Sequence, residues 1–119
     1  MTGISVVLSN DEVLNCPSCG NPHLHHHTVF IHNRTKEDGP TKTIAVSHND
    51  MSYSALHDGY LPVGNPSERR QGISVLFVCE ICDDQVVLQI AQHEGSSLIW
   101  WDTITDGNAS LKHIGRLPL

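Results

Sequence analysis

Aromatic residues are scarce in this chain. Two Phe, two Trp and two Tyr make up 5% of 119 residues. That excludes a core built on large rings, and cohesion must come from aliphatic side chains or from something the chain binds. Basic residues are also few. Seven Lys and Arg stand against thirteen Asp and Glu, a formal charge of −6, and only Arg69 and Arg70 are adjacent. Sequence-independent nucleic-acid binding leans on Lys and Arg over phosphates, so it is not expected here. No apolar run approaches the roughly 18 residues of a membrane helix, and Met1 to Leu8 has no basic stretch leading into an apolar one. No secretory signal is visible, which points to a reducing, cytoplasmic setting. Asn108-Ala109-Ser110 fits a glycosylation sequon, read there as chance. Neither a serine-nucleophile motif nor a Gly-rich phosphate loop occurs. At this length the chain is read as one domain, 1–119.

Cysteine is limited to four residues, and all four are paired by spacing: Cys16-Pro17-Ser18-Cys19-Gly20 and Cys79-Glu80-Ile81-Cys82-Asp83. C-x-x-C lets one tight turn aim two sulfurs at one point. Two such turns make a tetrahedral S4 site, which suits Zn²⁺. The alternatives are two redox dithiols or chance pairs. A redox dithiol normally sits in βαβ surroundings that this sequence lacks. In a small domain zinc contributes about 10–16 kcal/mol, as much as the roughly 5–15 kcal/mol net stability of a typical fold. Four thiolates on one Zn²⁺ would add two negative charges to the −6.

Around the cysteines the pattern is β-rich. His23 to His32 has no helical period and reads as a strand. Simple alternation puts His23, His25, His27, Val29 and Ile31 on one face and Leu24, His26, Thr28, Phe30 and His32 on the other. Ile73–Val78 runs into the second cysteine pair. Gln85–Gln92 follows it, with Val86, Leu88 and Ile90 on a buried face and Gln85, Gln89 and Ala91 opposite. Leu98–Ile104 completes a meander after a turn at Glu94-Gly95-Ser96-Ser97. Ile4–Leu8 and Thr43–Val46 read as short strands. Ser9 with Glu12 reads as a capping box opening a brief helix, and Asp50 as the cap of another over Met51–Leu56. From Asp58 to Gly72, three glycines and two prolines without periodicity read as a surface loop.

C-P-x-C-G followed by a strand, then strand, C-x-x-C, strand, resembles a zinc ribbon. The resemblance covers Cys16–Ile31 and Ile73–Ile104, about half the chain. It implies a mainly β, antiparallel sheet with a structural zinc. The 59 residues between Cys19 and Cys79 exceed what a compact ribbon needs, so a loop-rich insertion is expected at about 33–72. The chain is also similar to the small zinc-ribbon proteins of actinobacterial phages. Zinc ribbons serve transcription, translation, nucleases and protein docking, so the fold does not fix the function.

The expected function is that of an acidic accessory or regulatory factor that binds a protein partner. The alternative is a metalloenzyme of hydrolase or nuclease type. Its second metal would sit on His23, His25 and His27, with His48, His57, Asp58 or His93 completing the shell. A cupin-like version lacks the glutamate that should follow H-x-H. An H-N-H nuclease, suggested by His48-Asn49-Asp50 and His57-Asp58, lacks the helix after its second cysteine pair. For partner binding the candidates are Tyr60, Arg69 and Arg70 in the loop, and Trp100 or Trp101. The two Trp are strand neighbours, so they face opposite ways: one should be core and the other exposed or covered by the insertion, and an exposed one would serve a partner or self-association through that strand.

Overall fold

The computed structural model describes residues 3–47, 53–57 and 63–103. It is mainly β, with no helix among the described residues. Six strands run in chain order: β1 (Leu24–Asn33), β2 (Lys42–Ser47), β3 (Tyr53–His57), β4 (Gly72–Cys79), β5 (Gln85–His93) and β6 (Ser96–Thr103). They form one antiparallel sheet in the order β3-β2-β1-β4-β5-β6. β4, β5 and β6 are the expected meander. The β5–β6 turn is a two-residue hairpin with Glu94 at φ 49° and Gly95 at φ 83°, the paired left-handed geometry that matches strand twist.

The sheet has two apolar faces. On the first, Phe30, Leu76 and Val87 pack with Val63 and Ala45. On the second, Cys16, Cys79, Val86, Leu88 and Trp101 pack with Val6, Leu14, Leu24, Val75 and Phe77, and Phe77 meets the Trp101 ring edge to face at 5.6 Å. Trp100 and Trp101 do take opposite faces, but both are buried. Of the two expected possibilities for the second Trp, exposed or covered, the structure has the covered one, and neither Trp is an outward partner site. Trp101 lies under the N-terminal segment, and the Trp100 indole N–H donates to Asp102 Oδ2 at 3.0 Å. Ile4 joins the edge of β6 through two 2.7 Å hydrogen bonds with Trp101. Gly3, at φ 113°, lies so close to Trp100 that a Cβ would clash with its ring.

Several local expectations fail for identifiable reasons. Instead of a helix, Ser9–Glu12 forms a turn with Glu12 at φ 62°, closed by an isolated Leu8–Leu14 bridge. Ile4–Leu8 contributes bridges rather than a strand. Most of the helix expected over Met51–Leu56 falls on β3, whose backbone pairs with β2 from Lys42↔His57 to Val46↔Tyr53. The open edge of β2 offers hydrogen bonds that outweigh weak helix propensity in so short a segment.

The described part of the Asp58–Gly72 loop is packed. Val63 is fully buried, and Ser67 Oγ donates to the Gln92 carbonyl at 2.9 Å. Asn65 Nδ2 donates to Thr41 Oγ1 and to the Arg70 carbonyl. A Cβ on Gly72 would meet Asn65 and Pro66 within 3 Å, so this glycine lets the loop lie against β4.

A band of buried polar groups crosses the first face. His32 Nδ1 is 2.8 Å from Thr43 Oγ1 and Nε2 is 3.0 Å from Ser74 Oγ. Ser74 Oγ donates to Gln89 Oε1 at 2.5 Å, and Gln89 Nε2 donates to Asp102 Oδ2 at 3.2 Å. Ser74 spends its one proton on Gln89, so its oxygen must accept from His32 Nε2–H. A ring with its proton on Nε2 alone would then accept from Thr43 at Nδ1. From His32 through Ser74 and Gln89 the donors point toward Asp102, so these bonds polarise one another in the sense that supports a negative charge there. Thr43, His32, Ser74, Gln89 and Asp102 come from β2, β1, β4, β5 and β6, and all are buried. Gln89 therefore does not face solvent opposite a buried Val86-Leu88-Ile90 stripe. β5 is covered on both faces through most of its length.

Candidate metal centre

The two cysteine pairs meet at one end of the sheet. The first precedes β1 and the second joins β4 to β5, and the pairing Leu24↔Cys79 brings them side by side. Their local structures are the same. In the first, Cys16 N–H donates to the Asn21 carbonyl and Gly20 N–H to the Cys16 carbonyl. In the second, Cys79 N–H donates to Asp84 and Asp83 N–H to Cys79. Gly20 at φ 81° and Asp83 at φ 60° hold the equivalent left-handed position. Glycine adopts it freely, and aspartate is among the side chains that tolerate it.

The four ligand atoms of Cys16, Cys19, Cys79 and Cys82 all lie within 4.8 Å of one another. Cys16 and Cys82 sulfurs are 3.8 Å apart, and those of Cys19 and Cys79 are 3.6 Å apart. A tetrahedron with metal–sulfur bonds of about 2.3 Å has edges of about 3.8 Å, so the donor set fits a four-coordinate thiophilic cation. None of the four is in a disulfide. Each turn supplies one buried sulfur residue, Cys16 or Cys79, and one exposed, Cys19 or Cys82.

Without a cation the cluster resists full ionisation. Burial, followed by the sulfurs of Cys79, Cys19 and Cys16, pushes the Cys82 thiol up to about 12. Burial also pushes Cys16 up, against the N–H groups of Cys19 and Ser18. At Cys79 burial again acts upward, but the N–H groups of Cys82 and Ile81 together with the neighbouring sulfhydryls outweigh it, and the thiol lies below its ordinary value. Ser18 N–H approaches Cys16 Sγ at 3.4 Å. Ser18 Oγ donates to Asp84 Oδ2, tying one turn to the other, and the N–H of Glu80 donates to the His23 carbonyl at 3.0 Å.

The histidines are arranged otherwise than simple alternation implies. A β-bulge between His26 and Thr28 makes His27 an extra residue, so the strand changes parity there. His23 and His25 are exposed. His25 Nε2 lies 3.6 Å from Glu80 Oε1. His27 is buried, with Nδ1 2.7 Å from Thr28 Oγ1. Among the described residues the four cysteines are the one group of three or more such side chains with ligand atoms gathered this closely. His93 sits beyond them at the end of β5, 3.8 Å from Glu94. His48, Asp58 and Tyr60, and the side chain of His57, lie outside the described residues.

Arg69 and Arg70 stay on the surface and pair with acidic groups of the same chain. Arg69 makes a two-pronged contact with Asp38, Nε to Oδ1 at 3.0 Å and a terminal nitrogen to Oδ2 at 2.9 Å. Glu37 accepts from both arginines at 3.4 and 3.5 Å. Sequence reading missed the polar band from Thr43 to Asp102. The signal was one polar residue in each of five β-rich segments, visible as a pattern only once the strands are in register.

No family model, no curated protein and no solved structure matches the chain. No helix of the described residues is long and apolar enough to cross a membrane.

Proposed function

We propose that Cys16, Cys19, Cys79 and Cys82 hold a single structural Zn²⁺, and that the chain is a zinc-stabilised β scaffold acting by binding a protein. The observation that carries the metal is the sulfur spacing of 3.6 and 3.8 Å. Four protein sulfurs fill a tetrahedral shell and leave no position for water or substrate, the arrangement of structural rather than catalytic zinc. Four unlinked thiols suit a reducing compartment such as the cytoplasm. The charge of −6 favours a basic protein surface as partner, in keeping with the accessory factor that the resemblance to phage zinc ribbons implies.

The metalloenzyme reading rests on His23, His25 and His27. It gains little from a His25 that faces Glu80 and a His27 packed inward. Metal analysis of the purified chain tests the proposal directly. One zinc per chain is expected, and cobalt substitution should give the intense visible bands of a tetrahedral thiolate site. Iron in place of zinc, a second exchangeable metal, or Cys16–Cys19 and Cys79–Cys82 disulfides in freshly prepared protein would overturn it.

A further inference from the structure

Among the described residues, cover on the second face of the sheet lies at its metal end. Strand register places Ile44, Ile31, Ile73, Ile90 and Ile99 side by side, one each from β2, β1, β4, β5 and β6. The neighbouring row toward the cysteines is Val46, Val29, Val75, Leu88 and Trp101. Trp101 and Leu88 are buried there. Farther out, Ile31 is 45% exposed, Ile44 39%, Val46 41%, Ile73 38% and Ile99 51%. Beyond the isoleucines the same face ends in Lys42, Asn33, Gln92 and Ser97, all exposed. An apolar centre bounded by a polar edge is the anatomy of a protein interface.

These five exposed side chains present roughly 400 Å² of apolar surface, within the range of patches that are often functional. Isolated apolar side chains on a surface need no explanation, but five in two adjacent register rows do. The two rows carry no charge, so a charged ligand would find nothing to pair with.

We propose that this isoleucine face packs against the same face of a second copy of the chain, as a twofold sandwich of two sheets. The row is its own complement. A twofold axis lying between the sheets at Ile73, perpendicular to the strands, sets each isoleucine against its own counterpart in the copy and the two covered metal ends at opposite ends of the pair. Sheets pack in this way about 10 Å apart with strands within about 30° of alignment. The patch supplies about half of the roughly 800 Å² per partner of a standard interface, and the polar edge with Val29 and Ile90 supplies the remainder. A charge of −6 on each copy opposes association at low ionic strength, so the dimer tightens with salt. The proposal is independent of which metal the cysteines hold.

Sedimentation velocity on the zinc-loaded full chain, from about 1 to 300 μM, should show a reversible monomer–dimer equilibrium. Ile31→Lys and Ile99→Lys should each raise the dimer Kd about tenfold or more, with zinc content and melting temperature of the monomer unchanged. A dilution series of the wild-type chain by NMR needs no variant. Amide shifts of Ile31, Ile44, Ile73 and Ile99 should move with concentration while those of the cysteine turns stay fixed. A monomer throughout the range, a dimer indifferent to both substitutions, or shifts confined to other residues would overturn the proposal. So would an Ile31→Lys monomer that melts well below the wild-type monomer, because the face would then be covered by the chain itself.

Discussion

Ser74→Ala removes a single oxygen from the middle of the buried polar band and should be among the most costly small substitutions in the protein. Ser74 accepts from His32 Nε2 and donates to Gln89 Oε1, and all three residues are buried. Alanine returns neither bond, and water has no route to replace them. Each group that loses a buried partner costs about 1–2 kcal/mol, giving about 2–4 kcal/mol for the pair. Against a net stability of roughly 5–15 kcal/mol, that is a large share. With a urea slope of about 1–3 kcal/mol per molar, the unfolding midpoint should fall by about 1–2 M. Trp100 and Trp101 are both buried, so their emission reports the transition on zinc-loaded protein. A second arm separates hydrogen bonding from packing. With His32→Phe already present, which keeps a ring beside Phe30, Ser74→Ala should cost at least about 0.5 kcal/mol less than it does alone. A Ser74→Ala midpoint within error of wild type, or strictly additive effects of the two changes, would refute the continuous band.

Four further outcomes follow from the metal end and the β1–β2 turn. Cys82→Ser should leave the chain unfolded or aggregated, because the site joins segments far apart in sequence. Unchanged solubility and melting temperature would show the site to be dispensable. In the intact chain, zinc should be held at about pH 8 and released on acidification, since protons compete for thiols of which Cys16 and Cys82 lie above their ordinary values. A metal-sensitive dye reads the release, and loss of zinc on raising the pH instead would contradict this.

Gly20→Ala should cost about 1 kcal/mol, and Gly20→Asn less, because a Cβ there meets nothing within 4 Å and the penalty is the left-handed backbone alone. Equal melting temperatures for wild type and Gly20→Ala would rule that out. Asp38 should titrate below its ordinary value, held down by its hydrogen bonds from Arg69 and by the arginine charges nearby. A carboxylate with a lowered folded pKa stabilises above its ordinary value and loses that contribution as pH falls through the lowered one. Carbon-detected NMR should show the midpoint return to the ordinary range in Arg69→Ala.

Some of this was legible in the order of residues and some was not. The sulfur cluster was, because C-x-x-C carries its geometry within one turn and two pairs leave no spare thiol. β1, β4, β5 and β6 were legible because Val, Ile and Phe recur there between turn residues. β3 was not, since Tyr53–His57 owes its strand to the edge of β2 and Asp50 offers a helix cap. The capping box at Ser9 and Glu12 had the right residues, but the bridge between Leu8 and Leu14 closes a turn where a helix would have to continue. His27 is a bulge that no periodicity announces. Ser74 and Gln89 look like solvent-facing residues because in a two-layer sheet a polar alternation usually is one. Here they share the buried side with Leu76 and Val87, and hydrogen bonding in register makes that tolerable.

A cation on the four sulfurs would close residues 16–82 into a ring whose clasp is the metal and whose inner seam is the ladder from Leu24↔Cys79 to His32↔Gly72. A protease that cuts the β1–β2 turn near Asp38 would leave two pieces, each contributing two sulfurs to one ion and one strand to the seam. The nicked protein should migrate as a single particle under native conditions and as two bands once denatured. A chelator alone should loosen the pair, which makes the chain divisible into two halves that reassemble on zinc.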